Sequence, residues 1–142
     1  MSDSHDKANK IVQDLMLAND HFSNWMGIQI IELSPGFCTL KATVKQDMVN
    51  GFGICHGGIT YSIADSALAF ASNSHGIKSV SVETSISHIK SANLGDEITA
   101  IAKEKSLNTK LGFYEVELFN QHKTLIATFK GTVYRTSKEW EL

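Results

Sequence analysis

The chain is 142 residues long, which suits one domain able to bury about two-thirds of its unfolded surface. A net charge of −2 and a pI near 6.3 give no general attraction to nucleic acid or to acidic membranes. Two cysteines, Cys38 and Cys55, without a CxxC pair, suggest neither a disulfide framework nor a zinc site.

The polar N-terminus, MSDSHDKANK, lacks the apolar core of a secretory signal. No apolar run approaches the ~20 residues of a membrane span. A cytoplasmic protein with one domain over 1–142 is expected. Residues 4–23 set Ala8, Ile11, Val12, Leu15, Ala18 and Phe22 at helical intervals, with Ser4 or Asp3 able to cap them. They predict an amphipathic N-terminal helix that packs on something larger. Ile28-Gln29-Ile30 suggests a strand and Ser34-Pro35-Gly36 a turn; residues 37–44 alternate as a second strand, closing a hairpin.

The stretch 48–77, MVNGFGICHGGITYSIADSALAFASNSHGI, follows. Asp65 is its only formally charged side chain in 30 residues, although Asp47 precedes the stretch and Lys78 follows it. Glycines at 51, 53, 57 and 58 forbid a regular element before Gly58. The run after them has no Pro or internal Gly and predicts a helix over 58–75, stopped by Gly76. Ile59, Ile63, Ala67, Phe70 and Ala71 share one face, and Tyr61, Ala64 and Leu68 widen the apolar arc. The rest is small and uncharged: Ser62, Ser66, Ala69, Ser72 and Asn73. Such a helix is expected to be covered on most sides, with Asp65 at the margin between the two faces.

Beyond it the pattern is β. Residues 79–89 alternate Val80, Val82 and Ile86 with small polar residues, Leu94-Gly95-Asp96 turns the chain, and 97–107 alternate again. Runs at 113–119 and 125–135 complete the sheet, separated by polar turns at 108–110 and 120–123. Because strands follow strands, the sheet is expected to be antiparallel.

An ionised carboxylate buried without partners costs several kcal/mol, so Asp65 should be hydrogen-bonded structurally or sit where a ligand enters. The preceding loop delivers His56-Gly57-Gly58 to a helix N-terminus, where free N–H groups favour an anion or a polarised carbonyl oxygen. From Gly57 to Asp65 is eight residues, or roughly 12 Å at the ~1.5 Å helical rise. A reacting centre must lie about 3 Å from both the amide and the carboxylate. If both serve one reaction, the helix N-terminus of one subunit must approach Asp65 of another. That predicts a dimer with two shared sites.

One long apolar helix inserted early into an antiparallel sheet that wraps around it is an α+β arrangement, the hot-dog fold. Asn50-Gly51, His56-Gly57-Gly58 and Ala64-Asp65-Ser66-Ala67, in the pattern N-G-x4-H-G-G-x6-D, resemble the motif of the phenylacetic-acid-degradation (PaaI-like) hot-dog thioesterases. The resemblance covers nearly the whole chain and implies hydrolysis of acyl-coenzyme A thioesters by a homodimer assembled into a homotetramer. It implies Asp65 as base or nucleophile, contributed by the opposite subunit. Gly57 N–H would lie on the thioester carbonyl, and Asn50 and His56 would position substrate or water. Ser81 matches a position where the family can use a hydroxyl near the Asp. Where many relatives carry Arg-Pro, this chain has Lys90-Ser91, so Lys90 would meet a coenzyme A phosphate without the bidentate fork of Arg. Lys105, Lys110 and Arg135 are the alternative cations. Gly58 and Thr84 are further substrate-side candidates, and Tyr61, Leu68 and Phe70 would line the acyl pocket. No metal or cofactor is expected, coenzyme A being part of the substrate.

The chemistry is plausible on physical grounds. A half-desolvated carboxylate has a raised pKa and is a better base; it can deprotonate water or attack the carbonyl itself. The departing thiol has a pKa of about 8.5 and needs little acid assistance. Cys55 beside His56 has no second base placed for it. His21, His75, His88 and His122 show no ligand spacing and are expected at the surface or in loops. Two alternatives are a hot-dog hydratase, whose Asp/His motif is not found, and a non-catalytic acyl-CoA sensor.

Overall fold

The structure is a computed structural model and describes residues 3–142. The order of elements is α1 (Asp3–Asn9), a π-helical turn (Lys10–Met16), a 3-10 turn (Leu17–Asn19), α2 (His21–Trp25), β1 (Gln29–Ser34), β2 (Phe37–Thr43), a 3-10 turn (Gln46–Met48), α3 (Gly57–Asn73), β3 (Ile77–His88), β4 (Glu97–Leu107), β5 (Leu111–Phe119) and β6 (Leu125–Glu139). The strands form one six-stranded sheet in the order β1-β2-β4-β5-β6-β3, every pair antiparallel. This is the hot-dog arrangement: the sheet curls around α3.

Alternation explains how the sheet meets the helix. In β5, Tyr114, Val116 and Leu118 are buried between exposed Phe113, Glu115 and Glu117, and in β4 Ile98, Ala100 and Ala102 are buried. The small residues of β4 bring the sheet close to α3, whose Ile63, Ala64, Ala67, Leu68, Phe70 and Ala71 complete the same core. Ser66, Ser72 and Asn73 are buried too, so α3 is covered on most sides, as its uncharged sequence predicts. The helix ends on Ser74, and Gly76, at φ +105°, turns the chain into β3. The β1–β2 turn uses Gly36 at φ +78°, in contact range of His75 and Glu104.

The N-terminal expectation needs correction. Instead of one helix over 4–23, the chain is α-helical to Asn9, widens into the π-turn, tightens through Leu17–Asn19 and breaks at Asp20. Asp20 then caps α2, accepting from Ser23 N–H, because Asp is a strongly favoured N-cap residue. Ala8, Ile11 and Val12 are buried, whereas Ala18 and Phe22 are exposed, so only the first half of the apolar stripe reaches the core. Asp3 and Ser4 lie inside α1; the capping position falls outside the described residues.

β3 is an edge strand. Val80 and Val82 stand 57% and 61% exposed on it, although its sequence alternates like a covered strand.

Candidate active site

α3 spans Gly57–Asn73, so it starts one residue before and ends two residues short of the expected 58–75, Gly57 entering the first turn behind the His56 cap. His56 is the N-cap, and its Nδ1 accepts from Gly58 N–H at 2.9 Å. Ile59 N–H is taken by the His56 carbonyl at 2.9 Å. Gly57 N–H, pointing out of the first turn, has no hydrogen-bond partner among the described residues. Of the two glycine amides, therefore, Gly57 is free to meet an acceptor and Gly58 is occupied by the cap. Asn50 Oδ1 accepts from Phe52 N–H at 2.9 Å and Ile54 N–H at 3.3 Å, which fixes the loop before the helix and leaves the side-chain amide as a donor.

Gly57 opens on a cleft with Asn50, Thr60, His88, Lys90 and Ser91. A Cβ on Gly57 would lie 3.2 Å from His88 Nε2, so His88 closes one wall of the cleft. Lys90 is the candidate cation found here. Lys105 pairs instead with Glu115 at 3.7 Å, and Arg135 Nη1 donates to the Asn108 carbonyl.

Asp65 lies two turns along α3 and opens on a different cleft, formed with Leu68, Ala69, Ser72, Ser79, Val80, Ser81 and Val133. Ser81 faces α3 because it pairs with Val133, a buried residue on the helix side of β6. The Asp65 carboxylate is half-buried and has no hydrogen-bond partner among the described residues. Burial pushes its pKa above the ordinary value, and the negative charge of Asp20 adds to the push. Between the clefts Tyr61 hydrogen-bonds Thr84 across to β3 and packs edge-on against Phe129, ring centroids 5.4 Å apart. Tyr61 and Thr84 thus engage each other between Gly57 and Asp65 along α3 and line neither cleft. Phe70 is wholly buried in the core and lines neither cleft.

The structure therefore groups Asn50, Gly57 and Lys90 at one end of α3 and Asp65, Leu68 and Ser81 further along. Within one chain it does not bring the groups together. The clefts measure about 220 Å³ and 260 Å³, each short of the ~300–1,000 Å³ of a typical small-molecule pocket. Among the described residues no three His, Cys, Asp or Glu side chains are arranged to hold a metal ion.

The histidines lie at the surface or in turns as expected, and two of them make contacts that their spacing did not indicate. His88 is on the last residue of β3 and lines the Gly57 cleft, which alternation from Ser81 through Thr84 and Ile86 would have indicated once the bulge near Val82 was allowed for. His75 is partly buried and pairs with Glu104 at 2.6 Å. Asp20 was not among the candidates; its spacing to Ser23 was the available signal. The thiols are unsuited to attack: burial pushes Cys38 up to about 12, and burial together with Asp96 pushes Cys55 to about 11.

The sequence profile of the thioesterase superfamily matches residues 52–127, the span from the loop before α3 into β6. The chain belongs to the thioesterase superfamily. It is 36% identical over 120 residues to acyl-coenzyme A thioesterase PaaI of Escherichia coli, a match covering 84% of this chain and 86% of that protein. The solved structure of E. coli PaaI, from the phenylacetic acid degradation operon, superposes with a TM-score of 0.92 at 34% identity, covering 94% of this chain and 96% of that one. A variant of the phenylacetic acid degradation protein PaaI from Thermus thermophilus superposes with a TM-score of 0.80 at 32% identity, covering 82% of this chain and all of that one (100%). No helix among the described residues is long and apolar enough to cross a membrane.

Proposed function

We propose that this superfamily member hydrolyses acyl-CoA thioesters in sites shared between two copies of the chain, without a cofactor. One observation carries the assignment of the reacting group: Asp65 presents a half-buried carboxylate with no hydrogen-bond partner among the described residues. A structural carboxylate at that depth would be satisfied. The relation to acyl-coenzyme A thioesterase PaaI supports the substrate class.

In this reading the thioester carbonyl oxygen rests on Gly57 N–H at the positive end of α3. Asp65 of the other copy supplies the attacking oxygen, either its own or that of a water it deprotonates. Attack at the carbonyl carbon moves the π electrons onto oxygen, where the amide is worth about 3 kcal/mol in the transition state. Collapse of that oxyanion breaks the C–S bond and expels the CoA thiolate, which receives the proton Asp65 took from water; where Asp65 itself attacks, the product is a mixed anhydride, which a water then cleaves to free acid, restoring the carboxylate and supplying the thiolate's proton. Ser81 shares the Asp65 cleft and orients the carboxylate or water. Lys90, beside Gly57, holds a CoA phosphate as a point charge. Asn50 offers its amide hydrogens, His56 holds the loop that presents Gly57, and Leu68 borders the acyl chain.

Self-association is supported by the edge position of β3 and its exposed Val80 and Val82, a row of unpaired backbone groups beside apolar surface. Dimerisation through that region would make a homodimer, and a pair of these the expected homotetramer. The protein is taken to act in the cytoplasm. The test is a panel of aryl, short-chain and medium-chain acyl-CoA substrates, with released CoA trapped by a thiol reagent. Asp65→Asn should lose turnover by ~10²–10⁴-fold while remaining folded; turnover near the parental rate would reject the assignment.

A further inference from the structure

Asp20 stands outside the motif, yet three hydrogen bonds tie it to the turn of α3 that carries Asp65. Ser23 N–H donates to Asp20 Oδ1 at 2.9 Å, and Ser23 Oγ donates to Asp20 Oδ2 at 2.6 Å. Ser23 Oγ also lies 2.9 Å from Ser66 Oγ, in the buried seam between α2 and α3. A hydroxyl has one hydrogen to give. Since that of Ser23 goes to the carboxylate, Ser66 must donate to Ser23, and the chain of bonds runs one way, from α3 to Asp20. Ser66 is the immediate neighbour of Asp65.

We propose that Asp20 is a positioning residue of the active site: clamped by Ser23 and docked through Ser66 onto α3, it supplies a fixed negative charge that makes Asp65 a stronger base. This rests on the assignment of Asp65 above. The surroundings leave Asp20 as the charge that acts there. β3 and β6 present Ser79, Val80, Ser81 and Val133 to Asp65, none of which is charged at working pH. In the core around α3 the titratable groups include Cys38 of β2, Cys55 of the loop before α3 and Tyr114 of β5, all kept neutral by burial. Glu104 and His75 pair with each other near the far end of the helix. Lys10 and Asp14 on the π-turn are exposed. A like charge nearby disfavours the anion and raises its proton affinity, which for a general base at neutral pH is an advantage so long as it stays ionised.

Asp20→Asn removes the charge and keeps an N-cap, since Asn caps as well as Asp. Two readouts separate the inference from the assignment it depends on. The Asp65 carboxyl carbon is followed by 13C NMR against pH in protein labelled at Asp, its signal identified by its loss in Asp65→Asn. The acid limb of kcat/KM is measured on the same samples. In Asp20→Asn the carbon midpoint should fall, the acid limb should move to lower pH with it, and kcat at neutral pH should drop with KM held. Asp20→Glu should return both midpoints toward the parent, and Ser66→Ala should shift them less, in the same direction as Asp20→Asn. An unmoved carbon midpoint overturns the inference whatever the rate profile does. A midpoint that falls while the acid limb stays fixed shows instead that Asp65 is not the base, and the catalytic role of Asp20 falls with it.

Discussion

The proposed sharing of sites between copies has a quantitative signature in mixed dimers. Gly57 is the first residue of α3, where proline is favoured because its missing N–H has no helical partner. His56 before it is extended, at φ −61° and ψ 134°, the conformation a following proline demands. Gly57→Pro therefore deletes the amide donor while leaving the helix intact; its ring carbon meets only the end of the exposed His88 side chain. Loss of such a donor costs ~10²–10³-fold in kcat, and Asp65→Asn costs ~10²–10⁴-fold. Gly57→Ala, which keeps the N–H and adds the same Cβ, controls for bulk and should retain most turnover. When the two inactive variants are co-expressed with different tags, random pairing makes about half of the dimers mixed. In a mixed dimer one site inherits both defects and the other inherits neither. The unfractionated mixture should then show about one quarter of the parental rate per site, at least ~25-fold above either variant alone. Purified mixed dimers should show about half. The assay is release of free CoA followed with a thiol reagent. If the purified mixed dimer is no faster than the variants separately, Gly57 and Asp65 do not meet across subunits.

Three further outcomes follow from the packing and the titrating groups. Because burial raises the pKa of Asp65 in the folded state, the native form holds its proton more tightly than the unfolded chain. Stability from this group is thus greatest below the unfolded carboxylate range and falls as pH rises through the raised value, the deficit persisting at neutral pH. Asp65→Asn should accordingly raise the thermal midpoint at pH 7, with the gain vanishing below about pH 3.5, as melts across that range would show. At Gly131 a Cβ would lie 2.6 Å from Leu68 Cδ2 and 3.3 Å from Thr84 Cγ2. Gly131→Ala should cost about 1–3 kcal/mol by denaturant titration. Alkylation at neutral pH should leave turnover intact and modify neither Cys38 nor Cys55 until the chain is unfolded, since both thiols are held far above their working thiolate range; mass spectrometry before and after denaturation checks this.

Much of the sheet was legible because its strands carry the period of two over most of their length: the limits of β4 agree with the sequence to the residue, whereas β5 starts at Leu111 and β6 runs to Glu139, beyond the alternating runs at 113–119 and 125–135. α3 was legible for a different reason, the absence of charge along a Gly-bounded apolar run. The N-terminal helix was misjudged because helical spacing says where a side chain would point but not whether the backbone continues. Asp20 interrupts it through a local hydrogen bond to Ser23 N–H that competes with the helix. Among the candidates, Asp65 stood out by charge alone, and Ser81 and Leu68 share its cleft. His88 and Asp20 did not stand out, since each acts through a neighbour distant in sequence: Gly57 for the first, Ser66 for the second. The pairing of Tyr61 with Thr84 was hidden in the same way.

That pairing bears on why the proposed sites need two copies. Gly57, Tyr61 and Asp65 recur at intervals of four along one stripe of α3, opposite His88, Thr84 and Ser81 on β3, which runs back along the helix. Both clefts are thus gaps in a single seam, and Tyr61 fills the middle of it. Replacing Tyr61 with a smaller side chain would join the gaps, yet the amide and the carboxylate would remain roughly 12 Å apart, because their spacing is set by backbone rise along a rigid helix. No side-chain change within one chain removes that distance. A second α3 running antiparallel across a twofold axis does, and it does so twice, setting the carboxylate of each copy against the free Gly57 amide of the other. On the proposed mechanism, the separation that disables the isolated chain is then what gives the dimer two equivalent sites.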